Sequence, residues 1–202
     1  IMLCALAVMV PLVAGNFDFS IGANAVVAAI VCAALQAQFG LPIPISVVLA
    51  VAASIIVGLL NGWLVAFMHL DSFITTLGVA TVLAGLVQWY SGGVPIYGVD
   101  PEFLAFGAGS WFGMPRVLVV VILVTASAWY ILAWAPCGRL LHALGSTRRA
   151  ADLVGIPSRR LTFLSFAIAG LLAGIAGVVL AARTGGANPG AGTEFLFPAL
   201  AA

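Results

Sequence analysis

Long apolar stretches alternate along the chain with short breaks of glycine, proline and charged residues. The stretches run over about 1–14, 19–39, 44–67, 72–90, 116–135 and 161–182. Except for an incomplete first one, each approaches the roughly 20 residues a helix needs to cross about 30 Å of hydrocarbon. Lipid offers no partner to an open backbone, so an uninterrupted apolar run inside a bilayer is helical. A membrane β-barrel would instead need strictly alternating residues, which these runs lack. The pattern predicts an all-α fold: a polytopic transmembrane helical bundle of about six helical spans, forming one domain over 1–202. The stretch 72–90 has two readings, a full crossing or a re-entrant segment. Both chain ends are expected to be cut from something longer, and no signal peptide is assignable.

Composition places the chain in a membrane. It is 64% hydrophobic and 6% charged, with a mean hydropathy of +1.25, against about 25% charged residues in soluble domains. Seven arginines, no lysine and six acids leave a net charge of +1, which gives no electrostatic case for a nucleic-acid partner. Cys4, Cys32 and Cys137 lie too far apart for a metal or disulfide framework and read as small packing residues. Gly170, Gly174 and Gly177, with Ala167, Ala169, Ala173 and Ala176, give the sixth stretch a small-residue face on which helices can approach closely.

The placement of charge sets the orientation. Arg139, Arg148, Arg149, Arg159 and Arg160 all fall within 136–160, whereas 91–115 carries Asp100 and Glu102 and no basic residue. The positive-inside rule puts 136–160 in the cytoplasm. Counting crossings outward from there, 91–115 lies outside, 69–71 inside, 42–44 outside and 16–18 at the inner side. In 91–115 the aromatics Trp89, Tyr90, Tyr97, Trp111 and Phe112 form an interfacial belt.

Two kinds of segment carry candidate chemistry. In the cytoplasmic loop, Ser146 or Thr147 can cap a short helix over 148–154, Gly155 can end it and Pro157 blocks its continuation. Its face of Ala150, Ala151 and Val154, flanked by Arg148 and Arg149, suits either a groove on a soluble partner or anionic headgroups. Within the spans, Asp18, Ser20, Asn61, Thr75, Thr76 and Gln88 are the candidate pathway residues. Asp18 reads either as a cap on the Ser20 and Ile21 amides or as the polar end of a broken helix lining a path. The amides and hydroxyls read either as interhelical packing groups or as partners for a hydroxyl-rich solute. His69 and His142 have no matching acid or cysteine cluster, so no catalytic residue, metal ligand or cofactor is expected. Nor does a phosphate-cradling G-x-x-x-x-G-K-[ST] occur.

The run from Arg149-Ala150-Ala151 through Gly155-Ile156 resembles the cytoplasmic loop motif of ABC importer permeases, two alanines and then a glycine four residues on. Arginine stands before the alanine pair, where many permeases have glutamate. Asn16-Phe17-Asp18-Phe19-Ser20-Ile21-Gly22 is similar to the G-x-D-L-S-V-G segment of the ribose, xylose and arabinose branch. Asn61-Gly62 through Phe73-Ile74-Thr75-Thr76-Leu77-Gly78 resembles its N-G-x-L-V…F-I-x-T-L-G run, and Gly138-Arg139…Ala143-Leu144-Gly145 its G-R-x-x-x-A-x-G approach. That branch's glycine-rich stretch would follow Ala201-Ala202. The resemblance implies a monosaccharide permease working by alternating access in the bacterial inner membrane. It implies as partners an ABC ATPase subunit, a second permease copy and a periplasmic sugar-binding protein, with Asp100 or Glu102 facing the last. Coupling to the ATPase would fall to Arg148, Arg149, Ala150, Ala151, Asp152, Gly155 and Ile156. A branched-chain amino-acid permease and a channel or scaffold without an ATPase are the competing readings.

Overall fold

The structure is a computed structural model and describes residues 1–111, 113–192 and 198–199. The helices are α1 (Met2–Val13), α2 (Ile21–Ala37), α3 (Ile43–Ala66), α4 (Ser72–Ser91), α5 (Pro101–Ala108), α6 (Arg116–Ala133), α7 (Pro136–Ser146), α8 (Arg148–Leu153) and α9 (Ser158–Thr184). Two-residue strands β1 (Ile96–Tyr97) and β4 (Gly186–Ala187) pair, as do β2 (Ser110–Trp111) and β3 (Met114–Pro115). The all-α membrane bundle expected from the apolar pattern is present. Helices α3, α4, α6 and α9 are long and apolar enough to cross a membrane, and α1 and α2 are shorter apolar helices.

The bundle is built around α9. Its 27 residues span about 40 Å at 1.5 Å per residue, and α1, α2 and α3 pack along it. Small residues make this possible, because lipid supplies no hydrophobic drive and close backbone approach must replace it. A Cβ on Gly170 would lie 2.7 Å from Ser54 O and 3.1 Å from Gly58 Cα. One on Gly174 would lie 3.0 Å from Ser54 Cβ, and one on Gly177 2.8 Å from Ala28 Cβ. Ser54 Oγ also donates to Gly170 O across the same crossing, at 2.8 Å. In contrast α4 buries only Thr76, Leu83 and Val87, and α6 only Ala128 and Leu132. Their outer faces carry exposed apolar side chains such as Ile74, Val82, Ile122 and Leu123, a surface matched to hydrocarbon.

Segments that the arginine distribution assigns to one side lie at one end of the bundle. Gly15 abuts Gly145, and a single cavity is lined by Gly15, Asn16, His69, Asp71, Arg148 and Arg159. At the other end Tyr90 OH donates to Gln38 Oε1 at 2.8 Å, Asp100 N donates to Gln36 Oε1 at 3.2 Å, and β1 pairs with β4. Helix α4 therefore runs unbroken from the Asn16 end to the Gln38 end, a crossing rather than a re-entrant segment.

Two loops hold more structure than expected. Asp100 accepts from Glu102 N at 2.8 Å and Pro101 takes the first helical position, which starts α5. Pro136 likewise opens α7, whose Leu141 and Leu144 face the core. The expected caps on α8 are not made: Ser146 Oγ donates to Ala143 O, and Thr147 Oγ1 to Ser146 O. Both hydroxyls are spent on carbonyls at the end of α7, a helix not anticipated there. Of the aromatic belt, Trp89, Tyr97 and Trp111 are exposed at the far end, while Phe112 lies outside the described residues.

Candidate functional site

Between α1 and α2 the chain stays non-helical over 16–20 and enters the bundle in that form. Successive side chains of an extended segment point to opposite faces. Here Asn16, Asp18 and Ser20 are buried, Phe17 is exposed and Phe19 half-buried. The polar members turn inward and the aromatics outward, the inverse of an ordinary apolar core.

A backbone inside a membrane must find partners for its amides, and this one finds them on α4. Phe17 N donates to Ser72 Oγ at 3.1 Å and Phe19 N to Thr76 Oγ1 at 3.0 Å. The match is geometric. Ser72 and Thr76 are four helical residues apart, about 6 Å along the axis, and amides two residues apart in an extended chain are separated by about 6.6 Å. Thr76 Oγ1 in turn donates to its own helix at Ser72 O, 2.7 Å away.

The inward side chains form a second connection. Asp18 Oδ1 accepts from Ser20 N at 2.9 Å and Ser20 Oγ at 2.6 Å, and Ser20 Oγ accepts from Asn61 Nδ2 at 2.7 Å. One turn further along, Asn24 Nδ2 donates to Ser54 O at 3.1 Å. These bonds fix the start of α2 against α3 at the level of Asn61. That level is five residues short of the end of α3 at Ala66, or about 7.5 Å inside it. Among the described residues Asn24 Oδ1, Asn61 Oδ1 and Thr162 Oγ1 are buried without a hydrogen-bond partner.

Two cavities flank the extended segment. One, of about 480 Å³, opens at the arginine-rich end between Asn16, Asp71, Ser72, Arg148, Asp152 and Ser158. The other, of about 340 Å³, lies between α2, α4 and the 3₁₀ turn Pro189–Ala191, with Phe19, Ala23, Ala80, Thr81, Gln88 and Gly190 in its wall.

Helix α8 is six residues long and projects at the arginine-rich end. Gly155, with φ +79°, reverses the chain, and Ile156 N returns to Ala151 O at 3.0 Å. Ser158 Oγ donates to Asp152 Oδ1 and ties α8 to the start of α9. Ala151 is 3% exposed and packs in the core with Ile156 against it, while Leu153 and Val154 are 85% and 75% exposed. The expected face of Ala150, Ala151 and Val154 is therefore divided. So short a helix leans on the bundle through Ala151, and Ala150, Leu153 and Val154 point away beside Arg148 and Arg149.

Of the residues singled out in the sequence, Asp18, Ser20, Asn61 and Thr76 come together around the extended segment. Thr75 sits beside Thr76 without sharing these bonds. Gln88 lies three turns along α4, in the wall of the second cavity. Arg148 and Asp152 line the first cavity, and Arg149 and Ala150 are exposed. Sequence reasoning missed Phe17, Phe19, Ser72, Asn24 and Ser54. The signal was present as a two-residue alternation over 16–20 lying between helical runs, answered by hydroxyls four residues apart at 72 and 76.

A polar, irregular segment buried among apolar helices and flanked by cavities defines a solute-handling class of polytopic membrane protein, since irregular backbone at membrane depth is tolerated only inside protein or along a cavity. Over residues 1–202 the chain matches the family described as branched-chain amino acid transport system / permease component, and it belongs to that family. It is a multi-pass inner-membrane protein. It is similar to a ribose import permease of Haemophilus influenzae, 33% identical over 197 residues, 95% of this chain and 60% of the relative. A galactofuranose transporter permease of Escherichia coli is 30% identical over 186 residues, 92% of this chain and 54% of the relative. A D-allose transport system permease of Escherichia coli is 33% identical over 184 residues, covering 91% and 56%. The chain thus spans 54–60% of the length of these relatives. No solved structure matches the chain.

Proposed function

We propose that the chain is part of the permease of an ABC importer that carries a monosaccharide across the inner membrane by alternating access. A separate ATPase subunit drives it, a periplasmic sugar-binding protein delivers the cargo, and a second permease copy completes the pathway. The observation that carries this reading is α8, a short helix at the arginine-rich end that displays Leu153 and Val154 to a partner while Ala151 anchors it to the bundle. With that end cytoplasmic, α8 is the coupling element and α5 faces the binding protein. Asp100 is occupied in capping α5, which leaves Glu102 as the carboxylate for that partner.

The cargo class follows from the sugars named for the relatives and from the interior. Asn16, Ser20, Asn61 and Thr76 are buried neutral donors and acceptors, suited to hydroxyls. The family description favours a second reading, a branched-chain amino acid as cargo. Such a cargo needs partners for both an ammonium and a carboxylate, and the buried polar side chains of the described residues include Asp18 but no basic group.

The test is Leu153→Asp with Val154→Asp in the complete transporter, reconstituted with its ATPase and binding protein. Both positions are exposed, so membrane insertion is expected to persist while ATP-driven uptake is lost. Arg149→Glu with Ala151→Arg is a harsher probe, because Ala151 is buried. Normal uptake in the Leu153, Val154 variant overturns the coupling assignment.

A further inference from the structure

The two cavities beside the extended segment share no lining residue. On α4, Ser72 belongs to one and Leu77 to the other; on the extended segment, Asn16 belongs to one and Phe19 to the other. What separates them is a wall one chain thick: Phe17 to Phe19 on one side, Phe73 to Thr76 on the other. Two hydrogen bonds close it, Phe17 N to Ser72 Oγ and Phe19 N to Thr76 Oγ1. The Phe19 and Phe73 rings meet edge to face over it, with centroids 4.8 Å apart, and Phe17 lies 6.4 Å from Phe19.

Building on the permease reading, we propose that this clasp is the inner gate of the solute passage. Its construction suits opening. Both closing bonds end on side-chain hydroxyls of α4, so a shift of α4 breaks them without disturbing any helical hydrogen bond. Thr76 Oγ1 keeps its own bond to Ser72 O when Phe19 leaves. The freed amides of Phe17 and Phe19 then face an opened path, where water or a cargo hydroxyl satisfies them. Helix α4 is also lightly held, burying only Thr76, Leu83 and Val87.

The clasp has a mechanical link to the cytoplasmic surface. Gly15, at the root of the extended segment, packs on Gly145 in the last turn of α7, and a Cβ on Gly145 would strike Val13 O. Displacement of α7 and α8 therefore reaches the segment directly, without slack.

Access of a membrane-impermeant thiol reagent from the cytoplasmic face of inside-out vesicles tests the gate. The background is the complete transporter with Cys4, Cys32 and Cys137 replaced by serine. Ala80→Cys reports from the cavity beyond the clasp and His69→Cys from the cavity before it. The reagent is expected to label H69C quickly and A80C slowly. Adding Thr76→Val or Phe19→Ala should speed A80C labelling roughly tenfold, the change that about 1.4 kcal/mol makes in an open population. Thr76→Ser keeps the hydroxyl and should leave labelling slow. The gate is refuted if A80C is labelled as fast as H69C with the clasp intact. It is equally refuted if neither T76V nor F19A changes A80C labelling while H69C still reacts. Labelling needs neither sugar nor ATP, so clasp-dependent access without sugar uptake would count against the importer reading and leave the gate standing.

Discussion

Replacing Gly170 by alanine tests how the bundle is held together. The new Cβ would meet three backbone positions of α3: Ser54 O at 2.7 Å, Gly58 Cα at 3.1 Å and Ile55 Cα at 3.2 Å. Ordinary contact begins near 3.4 Å, so the helices must part by several tenths of an ångström. No flexible side chain is available to yield instead. Overpacking of this kind costs about 1–3 kcal/mol. Parting also stretches the 2.8 Å bond from Ser54 Oγ to Gly170 O, worth about 0.6 and at most about 1.7 kcal/mol in membrane bundles. Gly170→Ala should therefore lose about 2 kcal/mol, and Gly170→Val more. Thermal or denaturant unfolding of the detergent-purified permease reads the loss. Gly78→Ala and Gly85→Ala serve as controls, since nothing lies within 4 Å of either added Cβ, and their effect should stay within about 0.5 kcal/mol. If Gly170→Ala is as stable as Gly78→Ala, the close crossing of α3 and α9 is not what holds the bundle.

Other consequences follow from single contacts. Asp18→Ala leaves the Ser20 amide and hydroxyl buried without their acceptor, at about 1–3 kcal/mol in unfolding experiments; Asp18→Asn keeps a carbonyl oxygen there and should lose less, and equal losses would contradict the bonding described. Gly155→Val forces a β-branched residue to φ +79° at about 1–3 kcal/mol, which should fray α8 alone. Faster amide exchange over 151–156 and weaker ATP-driven uptake are expected, and unchanged exchange would remove Gly155 from the argument. Ser54→Ala should destabilise by no more than about 1.7 kcal/mol, less than Gly170→Val, because it deletes one bond and inserts no atom.

The bundle was legible in the sequence because hydrocarbon imposes length and apolarity on each crossing, and arginine placement ordered the ends. The paired Gly15 and Gly145, and Tyr90 with Gln38, agree with that order. Helices α5 and α7 escaped notice because they are short, yet each opens on a proline at its first helical position. At the site, Asp18, Ser20, Asn61 and Thr76 stood out as polar residues in apolar surroundings. Their partners Phe17 and Phe19 did not, since what they contribute is a backbone amide, which is independent of residue type. Ala151 was placed on the outward face by helical periodicity, but a helix of six residues is positioned by what it leans on. Leu153, which periodicity passed over, is the most exposed residue of α8.

Cargo class is the centre of the account, and solute uptake measures it most directly. The complete transporter, in proteoliposomes with its ATPase and binding protein, is offered labelled ribose, galactose, allose and leucine in turn. ATP-dependent accumulation of at least one sugar, with leucine excluded, is the predicted result. Accumulation of leucine, with every sugar left outside, would contradict it.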